Sequence, residues 1–464
     1  MKTKAAPRKP ENGGKRAMDA SGFFFYRALS MPRSISKPAP RKPELMAPAG
    51  NAACLTAALR AGADAVYFGV RGFNMRANYR NFLPSQLPRI AAQCHAAGAR
   101  AYLALNTVIY ENELPKVDAL LQAAKAAGVD AIICWDLAVV QKAAALGLPV
   151  ALSTQMSISN SESLAFFYRT FGVRRFVLAR ECTLAHIRAI RRALLKTLGK
   201  KAADEIELEL FAHGAMCVSL SGRCFLSQDR FGKSGNRGEC LQPCRREYHI
   251  TDDEGELSFR LGDSYLLSPE DLCTMPFLDQ LFAAGVGSLK IEGRARTPEY
   301  VATVTSAYRQ AIDFYFDRKG KPGFAAEFEA LKTRLMGDLD GVYHRGLSSG
   351  FFLGRPVAQW SGVRGSRAAK SKRLVGEVVN YYRKAGAAEI LIRNAGFALG
   401  DELLIQGPTT GSVRVRVDSI QIEHAAQERA ERGQHVALAV AEQVRPRDRV
   451  FLVVPHRGTD NANS

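Results

Sequence analysis

Residues 214 to 244 read GAMCVSLSGRCFLSQDRFGKSGNRGECLQPC and hold four of the nine cysteines, Cys217, Cys224, Cys240 and Cys244, in the spacing C-x6-C-x15-C-x3-C. Thiols gathered in one polar loop bind metal, pair as disulfides or act as nucleophiles. An odd cysteine count without a secretory signal is expected of a reducing cytoplasm, which sets disulfides aside. Structural zinc sites use paired C-x2–4-C knuckles, and only Cys240 and Cys244 fit that spacing. The loose remainder suits an iron–sulfur cluster better, because its larger cage takes four thiolates from different directions. Zinc stays open on spacing alone. Glycines 222, 232, 235 and 238 let such a loop fold tightly. Arg223, Arg237, Arg245 and Arg246 are expected to offset thiolate charge. Cys54, Cys94, Cys134 and Cys182 lie in apolar stretches and read as core residues.

The elements that must position this loop are repeated. From residue 44, short apolar runs alternate with amphipathic helical stretches: ELMAPAG, DAVYFGV, RAYLALNT, DAIICWD, LPVALST, VRRFVLAR, IELELFAHG and, later, GVGSLKIEGR. Eight such units, several helices ending in Gly, predict a parallel (β/α)8 barrel over residues 44–354. An open doubly wound sheet is the alternative, and no glycine-rich dinucleotide fingerprint follows the first strand. Residues 215–287 interrupt the pattern as a cysteine-rich insertion after strand seven. That is the face on which barrels of this type carry their active sites. A linker over 355–373 and a small antiparallel β-barrel over 374–464 are expected next, from short alternating runs broken by Gly, Asp and Pro.

Polar residues at C-terminal strand ends serve a site more often than a core. Asn106, Gln155, Arg180, Glu181, Lys290, Glu292 and Arg294 are in such places, and Tyr67, Asn74 and Arg76 lie in or near the loop after strand two. Ion pairs closing the mouth, such as Glu292 with Arg180, are the plain structural alternative. As a set these residues offer cations to a dicarboxylate, since guanidinium forks match carboxylates. HRGLSSGFF, residues 344–352, is a further wall or a simple turn.

The net charge of +19, from 64 Lys and Arg against 45 Asp and Glu, makes a polyanion such as RNA a natural partner. The basic stretch HIRAIRRALLKTLGKK is a candidate RNA surface or an ordinary solvated helix face. Residues 1–43 read as a disordered basic tail, with a transit segment or an over-extended start before Met31 as alternatives. No run is long and apolar enough to span a membrane.

The motifs ELMAPAG, GADAVYFG, LSTQMSISN, LAREC, ELFAHGAMCVSLSGRCFLS, GNRGECLQPCR, SLKIEGR and HRGLSSGFF together resemble the collagenase-like peptidases, family 32 of the unknown-mechanism peptidases. The resemblance covers about residues 44–352. It implies more than proteolysis, because better-understood members are similar to oxygen-independent hydroxylases that carry a 4Fe-4S cluster and take a hydroxyl group from prephenate. The branches act on the tRNA wobble uridine, on an rRNA cytidine, or on ubiquinone through a two-protein complex. The chain most resembles the tRNA branch. The resemblance implies tRNA and prephenate as partners, a possible family-related protein partner, and Cys217, Cys224, Cys240 and Cys244 as cluster ligands. Cys273 is an additional candidate that many relatives lack.

A peptidase remains the first alternative, and a non-catalytic RNA-binding protein the second. H-E-x-x-H and G-x-S-x-G are absent. His213 stands four residues before Cys217, so a Cys–His pair is conceivable. The simpler expectation is that His213, ending strand seven, orients substrate or bonds a cluster sulfur. With Arg180, Glu181, Lys290, Glu292 and Arg294 it completes the expected catalytic group.

Overall fold

The structure, a computed structural model, describes residues 42–456 except 80, 247, 252–257, 261–266, 355, 357, 358 and 364. The expected basic tail therefore lies outside the described residues, apart from its last two.

Each expected βα unit forms. The strands are β1 (Glu44–Ala49), β2 (Ala65–Phe68), β3 (Arg100–Ala104), β4 (Ala131–Cys134), β5 (Val150–Leu152), β6 (Arg175–Val177) and β7 (Glu207–Gly214). The insertion adds a hairpin, β8 (His249–Thr251) with β9 (Ser258–Arg260), and then β10 (Asp271–Cys273); β11 (Ser288–Ile291) is the eighth barrel strand. β11 pairs in parallel with both β1 and β7, which closes the barrel. Strands buried on both faces explain the near-continuous apolar runs.

The helices have legible boundaries. α1 (Ala52–Arg60) starts at Asn51, whose side chain accepts from Cys54 N at 2.9 Å. α2 (Leu87–Ala96) and α3 (Leu114–Ala126) carry proline in their first turn. α4 (Leu137–Ala145) is capped by Asp136, and α5 (Ser161–Phe171) by Asn160 and then Gly172. α6 (Leu184–Glu205) follows β6, α7 (Leu226–Phe231) lies in the cysteine loop, and α8 (Leu278–Ala283) precedes β11. Phe282 of α8 packs on Tyr315 and Phe316 of α9 (Pro298–Arg318), so residues 278–283 belong to the barrel's outer layer. The expected insertion to 287 therefore ends earlier. α10 (Phe324–Asp340) follows. Cys54, Cys94, Cys134 and Cys182 are buried in the strand–helix core, as their apolar context predicted.

The expected linker is partly ordered against the insertion. After β12 (Leu347–Ser348), Trp360 bridges Pro269, and Ser361 N donates to Ser268 O at 2.7 Å. β13 (Lys370–Tyr382) starts four residues before the expected boundary. It leads an antiparallel eight-stranded sheet that encloses its own core around Val375, Ile390, Leu403 and Val450. This sheet and the barrel form one compact unit. They meet at α1 and α9: Thr56 Oγ1 donates to Pro408 O at 2.8 Å, and Lys372 pairs with Glu299 at 2.7 Å.

Candidate functional site

A cavity of about 280 Å³ opens at the C-terminal mouth of the barrel. Of the expected residues it is lined by Tyr67, Arg76, Asn106, Gln155, Arg180, Lys290, Glu292 and Arg294, and by Cys217, Cys240 and Cys244. Its walls hold seven cations against one acid, Glu292.

Glu292, just past β11, accepts from Arg76 at 2.8 Å and from the Tyr67 hydroxyl at 3.2 Å. Burial would raise its pKa, but Arg76, Arg180 and Arg294 outweigh burial and hold the carboxyl down at about 2. The pairing of Glu292 with Arg180, the structural alternative, is not made. Arg180 Nη1 donates to Ala215 O at 2.8 Å, and its guanidinium covers the Phe211 ring at 4.0 Å. Arg294 Nη1 donates to Asn74 Oδ1 at 3.2 Å. Both Arg180 Nε and Arg294 Nε are buried without a partner among the described residues. Burial lowers the pKa of both guanidinium groups.

Asn74 does not line the cavity. It is fully buried, donates to Val70 O at 2.5 Å and accepts from Arg76 N at 3.0 Å, so it positions Arg76 and Arg294. Gly69 makes room for this: a Cβ there would stand 2.7 Å from Asn74 Cγ and 2.9 Å from Arg294 Nη1. On the opposite wall Asn106 and Gln155 satisfy each other, with Asn106 Nδ2 to Gln155 Oε1 at 3.0 Å and Gln155 Nε2 to Asn106 O at 2.8 Å.

Three cations escaped the sequence reading or its role for them. Arg296 and Arg345 line the cavity and share buried Asp271, at 3.4 and 2.8 Å. Arg345 does so from HRGLSSGFF, the stretch expected to form a wall. Arg245 donates to Pro269 O at 3.0 Å and to Met216 O at 2.5 Å. Arg180, Arg294 and Arg245 thus face the cavity with no carboxylate partner among the described residues.

Lys290 is fully committed below. Its ammonium bonds Glu209 at 3.0 Å and covers the Tyr67 ring at 4.5 Å, while burial lowers its pKa. Glu209 also accepts from Arg175, which pairs with Glu44 and bonds Ser288 Oγ at 2.6 Å. This buried network was not singled out by the sequence reading, whose only signal for it was charged residues inside apolar strands.

Two expected catalytic residues lie elsewhere. Glu181 is exposed and lines a neighbouring cavity instead. His213 is buried between Tyr300 and Tyr308, at ring separations of 6.0 and 5.7 Å, and its Nδ1 has no partner among the described residues. Burial pushes its pKa down to about 4. The cause of its position is a register shift between β11 and β7, where Lys290 faces Phe211 and Ile291 already faces His213. One extra residue turns the following side chain to the other face of a sheet. Cys217 meets Ser219 Oγ at 3.0 Å, and it forms no pair with His213.

The four thiols of the loop surround one region. Cys217, Cys240 and Cys244 line the cavity, and Cys217, Cys224 and Cys240 each act electrostatically on Cys244, whose pKa burial raises to about 11. Backbone N–H groups donate to Cys224 Sγ (from Leu226, 3.4 Å) and Cys240 Sγ (from Gln242, 3.3 Å). The loop is held by Arg237, which bonds Glu113 at 2.7 Å and Val108 O, and by Gly238, where a Cβ would stand 2.2 Å from Asn74 O. Arg237 is therefore a tether. Arg246 covers Phe231 and Arg223 approaches Trp135, so of the four expected arginines Arg245 acts most directly on the thiol of Cys244.

Among the described residues no three His, Cys, Asp or Glu side chains are close enough to hold a single metal ion. Four thiols around a shared space, with N–H groups directed at sulfur, fit the larger iron–sulfur cage in donor chemistry. Cys273 is apart from them, buried on β10 at 3.7 Å from Met336 Sδ.

Residues 50–362 match the family model for peptidase family U32. The chain is 39% identical over 411 residues to a collagenase of Porphyromonas gingivalis, covering 88% of this chain and 97% of the relative. It is 33% identical over 387 residues to tRNA hydroxylation protein P1 of Bacillus subtilis, covering 82% and 87%. A 23S rRNA 5-hydroxycytidine synthase of Escherichia coli is 35% identical over 313 residues, covering 67% of this chain and 45% of the relative.

Proposed function

The chain belongs to peptidase family U32, and from that premise we propose that it is an RNA hydroxylase, forming 5-hydroxyuridine at the tRNA wobble position without oxygen. The observation that carries the reading is the cavity in which Arg180, Arg294 and Arg245 face bound space without a carboxylate. Arg294 is buried and Arg180 and Arg245 are half-buried, and cations in that condition call for an anionic ligand. A small dicarboxylate such as prephenate meets them with two charges, and guanidinium forks bind carboxylates with charge-assisted hydrogen bonds.

Each group has a part that its own geometry supports. Arg180 and Arg294 bind the donor's carboxylates, and Arg245 balances charge at the thiols. Asn74 keeps Arg294 and Arg76 in place. Glu292, ionised at all ordinary pH, holds Arg76 and the Tyr67 hydroxyl. Asn106 and Gln155 form the polar floor. Cys217, Cys224, Cys240 and Cys244 would hold a 4Fe-4S cluster, which supplies redox and Lewis-acid chemistry beside the donor.

The rim favours RNA. Arg246 covers Phe231 at 4.7 Å, Arg223 approaches Trp135 at 5.8 Å, and Phe225 is 76% exposed on the cysteine loop. Interleaved guanidinium and aromatic groups suit stacked bases and phosphates. The basic helix α6 contributes less at the mouth. It runs away from that face, and Arg191 spends itself on Gly285 O and Ile206 O. A peptidase would need an activated nucleophile, and the imidazole nearest in sequence to Cys217 is enclosed elsewhere.

Nucleoside mass spectrometry of tRNA from a deletion strain tests the reading: loss of 5-hydroxyuridine derivatives, restored by the wild-type gene and not by Arg180→Ala, is expected. Anaerobically purified protein should absorb near ~400 nm, as iron–thiolate clusters do. Alanine at any of the four cysteines should bleach it, and Cys273→Ala should not. Unchanged tRNA would refute the hydroxylase, and a colourless zinc protein would refute the cluster.

A further inference from the structure

A second cavity of about 190 Å³ adjoins the cationic one. The two share Arg180, Met216, Cys217 and Ser221, so a single layer of side chains separates them. Across that layer the chemistry changes. Phe351, Trp360, Val218 and Leu220 form an apolar slot, and among the described residues Arg180, shared with the first cavity, is the one cation of its lining. Its polar lining includes the acids Glu181 and Glu270, three serines, Ser219, Ser221 and Ser348, and the carboxamide of Gln359. Gln359 Oε1 is buried with no hydrogen-bond partner among the described residues, a costly state for an amide oxygen. Trp360 is 38% exposed, yet its backbone is fixed by the bridge to Pro269 and by Glu270 N donating to Gln359 O at 3.1 Å.

A fixed aromatic face, an adjoining aromatic ring and an unsatisfied carboxamide make a specific receptor. An aliphatic ligand would leave the carboxamide unsatisfied, and an anion would find, among the described residues, one cation and two acids, Glu181 and Glu270. A neutral, flat, single ring with a hydrogen-bonding edge fits each feature. Uracil has such an edge, an N–H between two carbonyl oxygens, and a glutamine side chain offers the matching acceptor and donor.

We propose that this second cavity is the acceptor subsite. It takes the base of one unpaired pyrimidine nucleotide of RNA, stacked on Trp360 and read at its edge by Gln359, while the anionic donor occupies the cationic cavity across the wall containing Cys217. The inference rests on the RNA reading above. It explains why the connector between barrel and C-terminal sheet is bound to the insertion. That contact places an aromatic residue from outside the barrel at the barrel's mouth.

The chain has two tryptophans, Trp135 and Trp360, so Trp135→Phe leaves Trp360 as the only indole emitter. The full-length, cluster-loaded variant is titrated with a stem–loop RNA bearing one unpaired uridine, and with the same RNA abasic at that position. The uridine RNA should quench Trp360 and bind at least about tenfold tighter, the scale of one base stacked on an aromatic ring. Trp360→Ala and Gln359→Ala, in the wild-type background, should each erase most of that preference and leave succinate binding unchanged. Trp360→Phe should retain most of it, which separates stacking from misfolding. RNA binding with equal affinity for both stem–loops, or without quenching, would overturn the subsite and leave the RNA reading standing. Failure to bind either RNA would overturn both. Displacement of the uridine RNA by 4-hydroxybenzoate at comparable concentration would replace the base by a phenolic ring and overturn the assignment.

Discussion

At the N-terminal end of the barrel, Arg175 lies among Glu44, Glu207 and Glu209, and Lys290 closes on Glu209 from above. At the C-terminal end, Arg180, Arg245 and Arg294 lie among backbone carbonyls, an asparagine and an aromatic ring, with one carboxylate nearby that Arg76 already occupies. Both ends bury charge in the same barrel; the lower end neutralises its cations internally, whereas the upper end pairs Arg76, Arg296 and Arg345 and leaves Arg180, Arg245 and Arg294 without an acid among the described residues. Buried ions are tolerated when paired, and an unpaired one must obtain its partner from outside the chain. The lower layer therefore belongs to the fold, and the upper layer to a ligand.

The largest effect should come from breaking the lower layer. Glu209→Ala strands Lys290 in the interior and removes one of the three acids of Arg175, and should cost about 3–5 kcal/mol in urea unfolding, whereas Arg180→Ala should cost under about 1 kcal/mol, because no carboxylate is orphaned. Equal costs would erase the distinction between the two ends. Next is the single acid of the upper layer. The Glu292 carboxyl falls from 4.5 unfolded to about 2 folded, so its contribution is complete above pH 4.5 and disappears as pH falls towards 2. At roughly 1.4 kcal/mol per unit this amounts to roughly 3 kcal/mol. The stability gap between wild type and Glu292→Gln should shrink across that window, and a gap independent of pH would contradict the charge assignment.

Ligand binding should show the converse pattern. Arg180→Ala and Arg294→Ala should each weaken dicarboxylate binding in calorimetry by about 1.5–3 kcal/mol, the value of a charge-assisted hydrogen bond, while their midpoints of unfolding barely move. The smallest effect is expected far from either layer. Lys196→Ala on α6 should alter stability by no more than about 0.5 kcal/mol and RNA affinity only slightly, since that end of the helix points away from the mouth. A large loss of RNA affinity there would move the RNA surface off the mouth.

Much of this was legible in the chain. The eight strands, their caps and the position of the cysteine loop follow from periodicity and turn chemistry, which are local. The four thiols lie within thirty-one residues, so their convergence needs no long-range information. The pairing of Glu292 escaped sequence reading because its partner, Arg76, comes from an irregular loop after β2, where no period marks a residue's direction. His213 was misplaced for a different reason: strand alternation turns it inward, and a shift of one residue against β11 turns it outward. Trp360 and Gln359 looked like linker because the residues they bridge, Pro269 and Glu270, lie some ninety positions earlier.

The amino-acid sequence by itself determined a closed barrel with a thiol-rich loop over its mouth, since both arise from patterns repeated within one or two turns or strands. Only the tertiary structure decided which buried cations lack an acid and which aromatic residue faces an empty slot. Those are properties of residues tens to more than a hundred positions apart, and barrel closure together with the bridge from Trp360 to Pro269 sets the distances between them.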